Sequence, residues 1–292
     1  MASFEEEDTP LAAAAAAAVY VRRGLKGSFP KPKKTRILTI ANQKGGVGKT
    51  TTAVNVAAAM GLAGLNVLVI DLDPQGNAST AFNVDHWEDA SGTFDVLLDG
   101  ETIADMMSPA PGFESLWVLP ATLDLAGADI EMITTVDETE RPFLLKNALE
   151  VFLADHEMDY VFVDCPPSLG MLTINALAAV SEVLIPIQCE FYALEGVQQL
   201  LRTIEFAKER LNPDLDVSTV LLTMFNSSTN LSQSVVGEVR GYFGDKVLDT
   251  VIPRSTYVAE APSFGQSVMT YDPGSSGAVA YLAAAREIAE RK

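Results

Sequence analysis

Between Lys44 and Thr50 the chain reads Lys-Gly-Gly-Val-Gly-Lys-Thr. Glycines let backbone N–H groups turn inward around anionic oxygens, and a helix N-terminus beyond them adds its dipole. In that reading the backbone of Gly45, Gly46, Val47, Gly48, Lys49, Thr50 and Thr51 cradles a phosphate chain. Lys49 reaches the β- and γ-phosphates, and the Thr50 hydroxyl sits on Mg2+. The usual G-x-x-x-x-G-K-[S/T] spacing is not met, because Gln43 occupies the first glycine position and Lys44 is an additional base. Two more stretches bear carboxylates: Asp71-Leu72-Asp73-Pro74-Gln75-Gly76-Asn77, and Asp164 ahead of Cys165-Pro166-Pro167-Ser168. A carboxylate at the tip of a buried strand is costly unless it has a partner, so Asp73 and Asp164 are candidates to act on Mg2+ and a water molecule. Cys165 has no histidine near it in sequence and reads as a small packing residue.

Each of these groups needs an element to aim it. Apolar runs precede all three, at 37–42, 67–71 and 160–165, and similar runs occur at 116–120, 183–188, 219–225 and 247–252. Continuous Val, Ile and Leu suit strands buried on both faces of a parallel sheet. Alanine-rich residues after Thr50, and the stretches 143–154, 169–180, 194–211, 231–243 and 275–291, read as helices. The alternation predicts an α/β domain, a mostly parallel sheet with helices on both faces and ligand chemistry at the carboxyl ends of the strands.

The domain is expected over 36–292, after an extension over 1–35. The extension has an acidic start, an alanine run that Thr9 and Pro10 could open as a helix over 9–25, and a linker with seven of the chain's 20 basic residues, from Arg22 to Arg36. From Ile37 onward 13 basic residues face 35 acidic ones, which argues against nucleic acid as a partner of the body by itself. The acidic start is unlike a signal peptide, and no apolar run approaches a membrane span. Two cysteines, Cys165 and Cys189, give no disulfide framework, and a cytoplasmic protein is expected.

The Lys44–Thr50 run resembles the deviant Walker A motif of the ParA/MinD ATPase family, and Asp71–Asn77 and Asp164–Ser168 resemble its DxDPQGN and Walker B segments. Residues 182–201, Leu221–Asn226, Thr250–Arg254, Glu260–Val268 and Tyr271–Ala278 extend the likeness over nearly all of 37–290, to the ParA or Soj partition ATPases, actinobacterial chromosomal ParA above all. The resemblance implies a P-loop fold and an ATPase that uses ATP/ADP and Mg2+, with slow intrinsic turnover. It implies a homodimer closed on ATP, in which Lys44 touches the partner's nucleotide. Asp73 positions the attacking water, Thr50, Asp73 and Asp164 serve the metal, and Asn226 and Pro253 lie around the adenine. A ParB-type centromere-binding protein and non-specific DNA are the implied partners, with nucleoid association and no stable membrane binding. Ser228 and Tyr257 stand where many relatives have DNA-contacting arginines, which leaves Arg210, Arg240, Lys246, Arg254 and the basic arm as candidates. Positioning of a protein cargo and a MinD-like membrane role are the alternatives.

Overall fold

The computed structural model describes residues 29–87, 90–191 and 193–291. The acidic start, the alanine run and Arg22, Arg23 and Lys26 lie outside the described residues. Eight strands form one sheet in the order β3-β4-β2-β5-β1-β6-β7-β8. They are β1 Arg36–Ile40, β2 Val67–Asp71, β3 Ser108–Pro109, β4 Leu116–Leu119, β5 Tyr160–Asp164, β6 Glu182–Gln188, β7 Asp216–Phe225 and β8 Val247–Pro253. All neighbours are parallel except β3, a two-residue edge strand antiparallel to β4. The seven longer strands coincide with the seven apolar runs.

Side chains alternate across this sheet with period two. Leu38, Ile40, Val67, Val69, Tyr160 and Phe162 face one core, closed by helices α1 (Lys49–Leu62) and, at the C-terminal end, Ser276–Glu290. Leu68, Ile70, Val161 and Val163 face the other. That second core is covered by α3 (Ala128–Thr135), α4 (Leu144–Asp155), α5 (Met171–Ala179), α6 (Glu195–Arg210) and α7 (Asn230–Phe243). A short α2 (Asn77–Ala81) follows β2, and Ser276–Glu290 is α8. Helix α1 is buried on nearly every side, which its alanines permit: a small side chain lets helix and sheet approach closely.

Residues ahead of position 36 also touch the domain. Phe29 is packed in the first core under the Arg286 guanidinium, and the Thr35 hydroxyl donates to the Met158 carbonyl. Arg36, counted above with the basic arm, is part of the body. Its guanidinium binds Glu182 bidentately at 2.7 Å and donates to the carbonyls of Ile288 and Arg291, which locks β1 to β6 and to the end of α8. Its charge and most of its donors are already engaged within the fold. Both partners are mostly buried, with side chains 16% and 18% exposed. Removing one member of a buried pair costs ~3–5 kcal/mol, and slightly less for a pair that keeps some water. Arg36→Ala is therefore expected to lower unfolding free energy by about 2–3 kcal/mol in a urea titration, and Arg36→Lys, which keeps charge without the fork, by less.

Candidate functional site

The glycine loop leaves β1 through Ala41 and Asn42. Asn42 is buried and acts as a brace: its amide donates to the Pro186 carbonyl on β6 at 2.8 Å, and its Oδ1 accepts the Lys44 N–H at 3.0 Å. Gly46 (φ 73°) and Gly48 (φ 92°) adopt left-handed backbone, which a side chain would resist, and Gly48 caps α1. A Cβ at Gly45 or Gly46 would meet nothing within 4 Å, so the inner side of the loop is an open cradle. Behind it the Thr223 hydroxyl, from β7, donates to the buried Val47 carbonyl at 2.8 Å. Nothing in the sequence marks Thr223 as part of the loop's support. Thr223→Val leaves that carbonyl unpaired, a loss of ~1–3 kcal/mol. Its expected result is nucleotide affinity reduced about 5- to 150-fold by isothermal titration, with an unchanged sheet.

Parallel register brings the carboxylates together. Asp71 and Asp164 are paired positions of β2 and β5, and Asp164 pairs with Ile40, the last residue of β1 before the loop. Their roles differ through their partners. Asp71 accepts the N–H and hydroxyl of Ser79 and the N–H of Asp73, so it fixes the loop between β2 and α2. Asp164 is fully buried and neither of its carboxylate oxygens has a hydrogen-bond partner. The Thr50 hydroxyl lies close by without meeting hydrogen-bond geometry. Burial, then the negative charge of Asp71, pushes Asp164 well above the ordinary carboxylate range, against the pull of Thr50 and Lys49. Burial, with the Asp73 charge adding a little, also raises Asp71, against its Ser79 bonds. Lys49 is lowered by burial and held up by Asp164 and Asp73. Orphaned carboxylate oxygens beside a hydroxyl and a glycine cradle are what a hard divalent cation with phosphate ligands requires, so the donor set fits Mg2+. Among the described residues no group of three or more His, Cys, Asp or Glu could hold a metal by itself.

Lys49, Thr50 and Asp73 open onto a cavity of about 340 Å3, which Asp71 and Asp164 do not line. Gly45, Gly46, Gly48, Lys49, Thr50, Thr51 and Asp73 line it, with Asn77 and Pro167 from the two carboxylate loops. The far wall is Met224, Ala261, Pro262, Gln266 and Val268. Asn226 and Pro253 are not brought to this wall. Asn226 is on the surface side of the strand end, and its Oδ1 accepts the N–H and hydroxyl of Ser228 in a local turn, while Pro253 pairs with Phe225 at the end of β8. Met224, two residues before Asn226, lines the cavity and has a left-handed φ of 53°. Asn55 of α1 fastens the opposite wall: it donates to the Thr51 carbonyl and accepts the Val268 N–H at 2.8 Å. The Glu260–Val268 stretch carries no role that sequence reveals; no residue in it has a charge or spacing that points to a nucleotide.

Lys44 does not line the cavity. Its ammonium lies outside, 41% exposed, 3.8 Å from Glu190, which also meets Arg254 at 3.3 Å. Cys165 and Cys189 carry no chemistry of their own. Both are buried, Cys165 against the Thr39 hydroxyl at 3.0 Å, and burial pushes their thiols up to about 12 and about 11.

A protein family described as an AAA domain matches residues 35–217. The chain is 48% identical over 254 residues to the sporulation initiation inhibitor protein Soj of Bacillus subtilis, covering 87% of this chain and 98% of Soj. It is 47% identical over 259 residues to the chromosome partitioning protein ParA of Caulobacter vibrioides, covering 88% and 95%. Among solved structures it is similar to a Mycobacterium smegmatis protein described as cobyrinic acid a,c-diamide synthase, with bound ADP and magnesium. That likeness has a TM-score of 0.71 and 37% identity, over 85% of this chain and 91% of the other.

Proposed function

This chain belongs to the Soj/ParA family of chromosome-partitioning ATPases, and from that premise we propose that it is a dimerising switch, closed by ATP and opened by hydrolysis, that serves DNA segregation. The observation that carries the proposal is Lys44: a lysine within the phosphate loop that stands outside its own cavity, exposed and only loosely paired.

The loop N–H groups from Gly45 to Thr51 and the Lys49 ammonium bind the phosphates, and the base lies toward Met224, Pro262 and Gln266. Thr50, Asp73 and Asp164 would hold Mg2+ when it is bound. When bound, the metal neutralises charge that develops on the transferring phosphoryl group. Asp73, held by turn bonds to Gln75 and Gly76, orients the attacking water. No strong base assists: His86 meets Thr80, and His156 is bonded to the Phe152 carbonyl. Turnover is therefore slow without help, and Lys44 of a second subunit supplies the missing positive charge.

A ParB-type partner with a basic segment would accelerate it, as the acidic body favours electrostatically. DNA binding receives less support from the body. Arg254 and Lys246 are paired with Glu190 and Asp216, Arg240 donates to the Asp249 carbonyl, and Ser228 and Tyr257 are neutral. Helix α8 directs Tyr281, Leu282 and Ile288 into the core and exposes only Val279 of its large apolar residues, a poor membrane face, and no described helix is long and apolar enough to cross one.

Sedimentation with ADP and with ATP plus Mg2+ tests the switch: a dimer only with ATP supports it, and a monomer in both overturns it. DNA binding by the ATP form, at about 50 and about 200 mM salt, tests the cargo. Affinity should fall by less than the ~10³–10⁵ typical of proteins with 6–10 phosphate contacts. No binding at either salt would transfer the cargo from DNA to protein.

A further inference from the structure

Phe29 opens the described chain, buried in the first core with the Arg286 guanidinium of α8 over its ring at 5.6 Å. The residues ahead of it therefore emerge beside the outer face of α8. A groove of about 390 Å3 runs along that face. Val279, Leu282, Ala283, Arg286 and Glu290 line it, at i, i+3, i+4, i+7 and i+11, which is one stripe of a helix, with Asp249 of β8 at its edge. Val279, Ala283, Glu290 and Asp249 are exposed. The third carboxylate of the groove, Glu287, is engaged within the fold: it accepts the N–H groups of Asp249 and Thr250 and pairs with Arg291 at 2.9 Å. Asp249 and Glu290 have no cation partner among the described residues.

The sequence ahead of Phe29 carries the complement of this groove. Residues 9–28 contain no acid, and Val19-Tyr20-Val21-Arg22-Arg23-Gly24-Leu25-Lys26 sets three apolar residues beside three bases. A chain covers at most ~3.3–3.6 Å per residue, so Val19 can stand up to roughly 35 Å from Phe29, whereas Arg286 and Val279 are only ~10 Å apart along the helix. We propose that the groove is the docking site of the chain's own residues 19–26. Val19, Tyr20 and Val21 cover Val279 and Ala283, and Arg22, Arg23 and Lys26 meet Asp249 and Glu290. Being covalently joined, the segment meets the groove at an effective concentration on the order of mM, so a weak contact suffices. The same carboxylates repel nucleic acid and anionic lipid. Docking has a consequence for the arm: bases held on α8 are withheld from phosphate, and a nucleic acid must compete with the groove for them. The docking itself needs no nucleotide or DNA chemistry; the competition rests on the DNA-segregation reading.

Trypsin reads the docking, because it cleaves after Arg22, Arg23 and Lys26 and its rate on the full chain follows the undocked fraction. The substituted residues all lie at or beyond Glu209, so the sequence around those bonds is untouched. Followed by mass spectrometry at about 50 mM salt, the wild type should be cleaved at least about fivefold more slowly than a free peptide of residues 9–28. Asp249→Asn with Glu290→Gln should remove most of that protection, and so should Val279→Gln with Ala283→Gln. Raising salt to about 200 mM should speed the wild type and leave the charge variant nearly unchanged. Glu209→Gln with Glu238→Gln, exposed carboxylates of α6 and α7 on the opposite face of the sheet, should change the rate less than about twofold. Cleavage of the wild type as fast as the free peptide overturns the docking site, as do wild-type rates in both groove variants with melting unaltered. Protection that grows with protein concentration overturns the assignment to the chain's own segment and gives the groove to that of a second copy. For a short DNA duplex at about 50 mM salt, the Asp249→Asn, Glu290→Gln chain should bind more tightly than the Glu209→Gln, Glu238→Gln chain, which has lost the same charge. Equal affinities overturn the competition. A duplex bound by no chain with either nucleotide overturns the DNA reading, while cleavage still reports on docking.

Discussion

Lys44→Ala is expected to bind ATP and ADP nearly as the wild type does, yet to lose ATP-dependent dimerisation and to hydrolyse ATP at least ~10³-fold more slowly in the presence of its activating partner. The first half follows from position. Lys44 does not line its own cavity, so its removal takes no contact from the nucleotide bound by the same chain. The second follows from what its ammonium can reach. Among the described residues it is paired only with Glu190, at 3.8 Å, both side chains more than a third exposed, an arrangement worth at most about 1 kcal/mol. Such a pair gives way readily when a second subunit offers a phosphate. A cation delivered across an interface to a phosphoryl group in transfer is worth ~10³–10⁵ in rate in other systems. Lys49→Ala provides the contrast: that lysine lies within the cavity, buried between Asp73 and Asp164, and its loss should abolish nucleotide binding itself. Fluorescence titration with a nucleotide analogue, sedimentation and phosphate release separate the two. Wild-type turnover by Lys44→Ala would overturn the assignment in trans.

The same distinction shows which parts of this molecule are legible in its sequence. Strands buried on both faces betray themselves by unbroken apolar runs, so seven of the eight are visible, and the chemistry at their carboxyl ends can be placed in one row. β3 escapes because two residues, one a proline, have no periodicity to detect. Helix α3 escapes for a related reason: only Ala128 and Met132 face the core, while Ile130 and Ile133 point to water, so its apolar pattern obscures its packing. Arg36 shows what a charge run conceals. Composition groups it with six other bases, whereas only the fold reveals a bidentate partner 146 residues away. Residues that interact through backbone geometry are equally silent. Asn226 and Met224 are two positions apart at the end of β7, where Met224 has a left-handed φ, and Met224 lines the cavity while Asn226 does not, which neither residue type announces.

Asp164 carries the second large effect, and it acts in opposite directions on stability and activity. Without a cation, burial raises its carboxyl far above the ordinary range, and both oxygens lack hydrogen bonds. A carboxyl whose folded-state pKa is raised favours the folded state below its unfolded value and loses that contribution as pH rises through the folded value. At neutral pH the ionised form is thus a net cost, even with Lys49 beside it, since the shift already includes that attraction. Asp164→Asn removes the charge and keeps the shape. The variant should melt at a higher temperature than the wild type without nucleotide, and the gap should widen as pH rises from the ordinary carboxylate range, because only the wild type must bury a charge. The same substitution withdraws an anionic ligand from Mg2+, whose charge stabilisation is worth several kcal/mol, so turnover should fall on the order of 10²–10³-fold. ATP with Mg2+ should then reverse the order of stability, raising the melting temperature of the wild type far more than that of the variant. Calorimetry across pH, with and without MgATP, reads all three. A variant that is less stable than the wild type at every pH, or that is stabilised equally by MgATP, would show that Asp164 is a structural residue and that the metal is held elsewhere.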